Sequence, residues 1–358
     1  MQVRNTLALL GGSATAIAAL SLAPATGPAG SATNLAVFRH LELVQVPDGQ
    51  GGQVETLRVT GANLQVVNGL GASNGLPLAP TSTATPVVNG LGNVIVGYAE
   101  PRPAADRRGS HNLVLGTQND WTSWGGMVTG SESKIAGPLA TVTGGWRNVS
   151  GGTLSTVAGG QDANVISTGT VQSGGYLGSG LRDFAVFAGG SSGVPFGYDS
   201  VVAGGLRNTA SGVHAVATGG QDNLASGTES VALGGLDNTV GGNNALASGG
   251  REGYVSGTNA AVHGGFSNDA RGTNSVVVGG QYGWASGTES TIPGGDSNRA
   301  TGNNATVAGG NSNEATATNS TVSGGRDNVA SGTNASVNGG HERTADELDE
   351  WRAGSYSH

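Results

Sequence analysis

Glycine doublets begin at positions 144, 159, 174, 189, 204, 219, 234, 249, 264, 279, 294, 309, 324 and 339, fifteen residues apart without a slip. A bias toward glycine would not keep phase over that length, so each fifteen-residue unit is one turn of a repeating structure. Another glycine follows eight residues after the first of most doublets, at 212, 227, 242, 257, 272, 287 and 302, and divides the turn into eight and seven. Such halves are too short for helices and suit strands of four or five residues closed by tight turns. They predict an all-β fold, a parallel β-solenoid of β-roll type with fifteen-residue turns, whose corners at these glycines require φ > 0. With strands about 4.8 Å apart, the thirteen intervals make a rod of roughly 60 Å before any upstream turns are added.

Composition narrows the alternatives. Glycine accounts for 67 of 358 residues, far above the usual share of roughly 7 %. Runs such as Ser230-Val231-Ala232-Leu233 exclude the every-third-residue glycine of collagen. A net charge of −8, with Lys134 as the single lysine, argues against nucleic acid or an anionic membrane as partner. With no cysteine, an exported chain of this size is held by its core and its hydrogen bonds rather than by disulfides.

Alternation assigns the faces. Two residues before each doublet stand Val142, Val157, Gln172, Phe187, Val202, Ala217, Ala232 and their equivalents, apolar except for Gln172, which places this column in the core. Four before lie small residues such as Ser155, Ala185 and Ser200, and in the other half-turn Ala210, Ala225, Val240 and Val255 point inward. Asparagine four after the first glycine (Asn148, Asn208, Asn223, Asn238, Asn268, Asn298, Asn313, Asn328) fits either a left-handed corner or a stacked amide ladder. Outward, the positions three and one before the doublet carry no carboxylate, lysine or arginine. Val186, Val201, Val216, Val231, Leu233, Val276 and Val278 define an uncharged strip, the candidate oligomer interface or binding face. The opposite face carries Tyr254, Asp269, Arg271, Trp284, Arg299 and Glu314, as a solvated surface should.

The ends read differently. Arg4 followed by the apolar run Leu7 to Leu22, with small residues around Ala25 and Ala32, has the form of a secretory signal peptide over 1–32, cleaved after either alanine. The expected location is therefore secreted or cell-surface, with no membrane span in the mature chain. Residues 33–86 contain two alternating segments joined at Pro47-Asp48-Gly49, expected as an N-terminal β cap, and then a Pro/Ser/Thr linker from Pro77 to Pro86. The solenoid is expected over 87–340, irregular to 143. Residues 341–358 are expected as a C-terminal cap or tail, with Thr344 and Glu347 as the capping box of a short helix from Asp346 to Arg352.

Two resemblances to known families and one looser likeness emerge from these residues. Ser230-Val231-Ala232-Leu233-Gly234 and Ser275-Val276-Val277-Val278-Gly279 resemble the S-V-A-I-G motif of the YadA-like head of trimeric autotransporter adhesins. That resemblance covers about Gly92 to Gly340 and implies a left-handed parallel β-roll, a homotrimer, and Val231, Leu233, Val276 and Val278 facing the trimer axis. The family period is fourteen rather than fifteen. Arg326-Asp327-Asn328-Val329-Ala330-Ser331-Gly332 is similar to the half-turns of grass β-roll ice-binding proteins, and Thr141, Thr156, Thr291, Thr306 and Thr321 supply threonine near the two ends. Asn89 to Tyr98 and Gly109 to Gly116 also resemble segments of secreted bacterial repeat proteins of unknown function.

Chemistry is sparse. The six histidines lack metal-ligand spacing, and Asp222, Asp237 and Asp327 do not follow a calcium β-roll period. No catalytic residue, metal or cofactor is expected. Trp121 and Trp124 are candidates for stacking on a sugar ring, against the alternative that aromatic rings here cover an irregular turn of the rod. The expectation is a non-enzymatic structural or adhesion module, a homo-oligomer that contacts a glycan or matrix surface. Its alternatives are an ice-binding rod and a carbohydrate-binding or carbohydrate-active solenoid.

Overall fold

The computed structural model describes residues 39–180 and 182–353, which fall into two units divided between Gln65 and Val66. The segment read as a signal peptide lies outside the described residues. In the first unit, β1 (Leu41–Pro47) and β2 (Gln53–Val59) form an antiparallel hairpin in register Leu41↔Val59 through Pro47↔Gln53. The turn forms because the Asp48 carboxylate accepts the N–H groups of Gln50 and Gly52, both at 2.8 Å.

The second unit is the parallel β-solenoid. Its main ladder runs linearly through eighteen strands, from Val94–Val96 and Leu113–Leu115 by way of Val231–Leu233 to Trp351–Arg352, and so spans seventeen intervals. At about 4.8 Å per turn these make roughly 80 Å. The spacing is nineteen residues at the first interval and fourteen at the next two, Leu113↔Met127 and Met127↔Thr141, before it settles at fifteen. A second side holds two-residue strands in ladders of five and eleven, interrupted between Ser179–Gly180 and Val194–Pro195. A third line consists of single bridges at the residue after each doublet, Trp146↔Gln161 onward to Arg326↔His341.

Hydrogen-bond direction explains the corners. Strand amides donate forward by fourteen residues, as Val231 does to Ala245 at 2.9 Å. The non-glycine residues with positive φ reverse their peptide and donate backward by sixteen, as Glu229 does to Val213 and Asp237 to Gln221. Besides the two doublet glycines, each regular turn holds two left-handed residues that are not glycine, one shortly after the doublet (Arg207, Asp222, Asp237) and one shortly after the mid-turn glycine (His214, Glu229, Asn244). The sequence-based reason for the mid-turn glycines is thereby corrected. Gly227 and its equivalents do not have positive φ; a Cβ on Gly227 would lie 2.0 Å from the Gly242 carbonyl oxygen, so close approach of successive turns selects glycine. Ala317 takes the same place in one turn.

The core matches the alternation. Val202, Ala217, Ala232, Ala247 and Val262 are fully enclosed, as are Ala210, Ala225 and Val240 opposite them. The asparagine column is a buried amide ladder rather than the corner itself. Asn223 donates Nδ2–H to the carbonyls of Gly219 and Gly235, and its Oδ1 accepts the backbone N–H of Asn238 in the next turn at 3.1 Å. This satisfies backbone groups that the tight doublet corner leaves without a strand partner.

Residues 66–89 belong to the solenoid unit and cover its first turn. Asn68, Asn74 and Asn89, each opening an Asn-Gly-Leu triplet, bond backbone around themselves, and Asn89 Nδ2–H reaches the Asn68 carbonyl at 2.8 Å. The segment 77–86, expected as a linker, is wound around buried Asn74, which donates to the carbonyls of Ala79 and Ser82. At the other end the expected helix is absent. Thr344–Ala345 pairs in parallel with Val329–Ala330, and Trp351–Arg352 pairs with Ser336–Val337, so 346–352 is the second half of one more solenoid turn. The fifteen-residue register carried by the strands outweighs the local capping-box signal.

Candidate interaction face

The three-residue strands put the predicted strip on one flat face. Val186, Val201, Val216 and Val231 pair in sequence and continue through Leu246 and Ala261 to Val276, all half-buried. A parallel row runs Ala188, Ala203, Thr218, Leu233, Ser248, His263 and Val278, with Leu233 and Val278 exposed at 41 % and 42 %. His263 is the single ionisable group among these positions. All seven residues singled out from the sequence thus share this face, in two columns.

The face has limits that the sequence only hints at. From Gly204 to Gly279 the first glycine of each doublet has φ between 64° and 76° and donates back to the end of the preceding turn's strand, as Gly234 does to Thr218 at 2.7 Å. At Gly294, Gly309 and Gly324 the φ values rise to 156°, 153° and 145°, and the strands shorten to two residues. The change starts at Pro293, which has no N–H for the ladder. Beyond it the outward column is Thr291, Thr306, Thr321 and Ser336. Chemistry and corner geometry therefore switch together: the first outward column is aliphatic from Val171 to Val276 and hydroxyl-bearing from Thr291 on.

The candidate sugar-stacking rings are not on the surface. Trp121 is 3 % and Trp124 is 7 % exposed, and Trp121 packs with Val114, Val128 and Ile135 in the core of the first turns. Neither offers a ring face to a ligand, which corrects that expectation; both act as covering and filling groups where the turns are irregular. Trp121 also lies under the Arg107 guanidinium, 5.3 Å from the ring centre. Next to it the buried carboxylate of Asp120 meets Arg102 Nη2 at 2.5 Å and Arg107 Nε at 3.9 Å. Arg107 further donates to the carbonyls of Ala99 and Glu100, so this charge cluster ties down the extra residues of the nineteen-residue turn. On the opposite side of the solenoid, Arg271 lies between Tyr254 and Trp284, at 5.3 Å and 4.9 Å, and Arg299 lies 5.0 Å from Trp284, so these ring faces are occupied within the chain.

One cluster was hidden by the fifteen-residue spacing. Asp327, His341 and Glu342 bring ligand-type atoms within 4.8 Å of one another on the surface. The Arg326 guanidinium already contacts His341 Nε2 at 2.6 Å and Asp327 at 3.2 Å, supplying the positive charge there. A shallow cleft of about 390 Å³ beside Arg108, Thr122 and Ser123 holds no carboxylate or imidazole among its lining residues. Among the described residues no helix is long and apolar enough to cross a membrane. No protein-family model and no curated protein matches the chain. The fold defines it as a parallel β-solenoid repeat protein.

Proposed function

We propose that the chain is a non-enzymatic, secreted or cell-surface solenoid of structural or adhesion type that self-associates through its apolar face, with three copies favoured. The observation that carries this reading is the in-register aliphatic ladder from Val186 to Val276, a half-buried outward column without carboxylate, lysine or arginine. An apolar sheet of this kind left in water favours association. Repetition supplies the mechanism, because similar turns present weak contacts to a glycan or matrix surface many times and avidity multiplies them.

The test is the solution mass of the full chain by light scattering, with and without Val231→Glu and Val276→Glu. A trimer that the substitutions dissociate is the expected result; a monomer whose mass they leave unchanged overturns the self-association. The in-register threonines Thr291, Thr306 and Thr321 favour a second reading, an ice-binding rod, which predicts a monomer with thermal hysteresis that Thr306→Glu abolishes.

A further inference from the structure

The last described turn breaks the column rules in two places at once. Glu350 falls where the preceding turns have Ala305, Ser320 and Ala335, all fully enclosed, and Arg352 falls where they have Val307, Val322 and Val337. Both positions belong to inward columns by register, and the end of the core is covered by an ion pair whose Arg352 side chain, 55 % exposed, lies at the open end of the last turn. Arg352 Nε donates to Glu350 Oε1, and the Glu350 side chain is only 14 % exposed.

The carboxylate has a second task. In the turn before, the N–H groups of Ser331 and Gly332 donate forward to the Ala345 carbonyl at 2.8 Å and 3.1 Å. Their equivalents in the last turn are Asp346 and Glu347. Glu350 Oε2 turns back and accepts both, at 2.7 Å and 3.1 Å. One side chain thus takes the two donors that a following turn would have used and places charge where that turn would have sought a methyl group.

We infer that Glu350 and Arg352 form an axial stop, and that the partner they exclude is a second copy of this chain stacking tail to tail. Only a surface with the same cross-section can continue the three hydrogen-bond lines of the solenoid. The opposite end of a copy is covered by its own residues 66–89, which bond to Ser110 and His111 of the first turns, and this leaves the matching tail end. A stacking copy would have to strip water from the ion pair and displace the carboxylate from two amides, the same logic by which inward-pointing charges protect sheet edges. This inference does not depend on the lateral association proposed above.

The test uses the full chain with Glu350→Ala and Arg352→Val together, which restores the residues of the two columns. Light scattering is compared with the wild type at equal concentration, whatever the wild-type mass proves to be. The expected result is a discrete doubling of mass, with the amides of Asp346 and Glu347 becoming slower to exchange with solvent. An unchanged mass with faster exchange confined to those two amides overturns the inference and leaves Glu350 as a local cap. Loss of exchange protection through Val329–Val337 without doubling also overturns it, since the pair would then hold the last turn in place rather than exclude a copy. Large, polydisperse aggregates overturn it as well, because they report indiscriminate adhesion of an opened core.

Discussion

The ring of Phe187 occupies the space that a side chain at Gly178 would need, for a Cβ built there would lie 2.3 Å from two ring carbons. Gly193 meets the same ring at 2.4 Å. These two glycines stand in the asparagine column, after Asn148 and Ala163 and before Asn208. At Gly178 and Gly193, where the core column carries Gln172 and Phe187, the aromatic ring takes the place of stacked amides as filling.

Gly178→Asn restores the column residue yet should destabilise by about 1–3 kcal/mol or more, because the ring has no room to move away. Combining it with Gly193→Asn and Phe187→Val should recover most of the loss. Urea midpoints of the single and triple variants measure this; a triple variant no better than the single would show that the ring and the ladder do not compete for one space.

Asn223→Ala removes the acceptor of the Asn238 N–H inside the core. The Gly219 and Gly235 carbonyls keep other donors, Asn208 Nδ2–H and the Gln221 N–H, so one orphaned amide dominates the cost, about 1–3 kcal/mol. Asn243→Ala, at an exposed corner where water can replace the bond to Thr228, should stay within about 0.5 kcal/mol. Equal urea midpoints for the two variants would refute the role given to the ladder.

How far the sequence carried the fold follows from where its information sits. Column periodicity placed Val202, Ala217 and Ala225 inside and put Val231 and Val276 on one face, because every turn repeats the same test of each position. It gave two possible places for the asparagines, since an amide that caps a corner and an amide that stacks beneath one occupy neighbouring residues. It misjudged Gly227, where crowding and positive φ both select glycine and only coordinates separate them. The capping box at Thr344 and Glu347 failed because a local signal was set against a register it did not count. Trp121 and Trp124 lie in irregular turns, where no column existed to say which way a ring points.

The doublet corner offers a finer test of what selects glycine. Gly234 has φ of +67° and nothing within 4 Å of a built Cβ, so Gly234→Ala should cost only the left-handed strain, about 1–2 kcal/mol, and Gly234→Asn less. Gly235 has φ of +85°, and its Cβ would lie 2.3 Å from Asn238 Nδ2 and 2.5 Å from the Gly250 carbonyl oxygen. Gly235→Ala and Gly235→Asn should therefore both unfold well before Gly234→Ala in urea. Were asparagine to relieve both positions alike, conformation alone would account for the doublet.

Acid should loosen the corner that carries Arg207 and Asp222. The guanidinium holds the Asp222 carboxylate from the next turn through two hydrogen bonds, at 2.6 Å and 2.5 Å, and with Gln221 keeps its pKa below the ordinary 3.8. A carboxyl group more acidic in the folded chain contributes stability that is present in full above its unfolded value and is lost as pH falls through the lowered one. The Arg147 and Asp162 pair behaves in the same way, Arg147 holding the Asp162 carboxylate below its ordinary 3.8. Below pH 3.8 the wild-type urea midpoint should fall more steeply than that of Asp222→Asn, whose midpoint at neutral pH is already lower; high salt should narrow the gap because both groups reach solvent. Parallel pH profiles for the two proteins would show that the pair is a contact without consequence for folding.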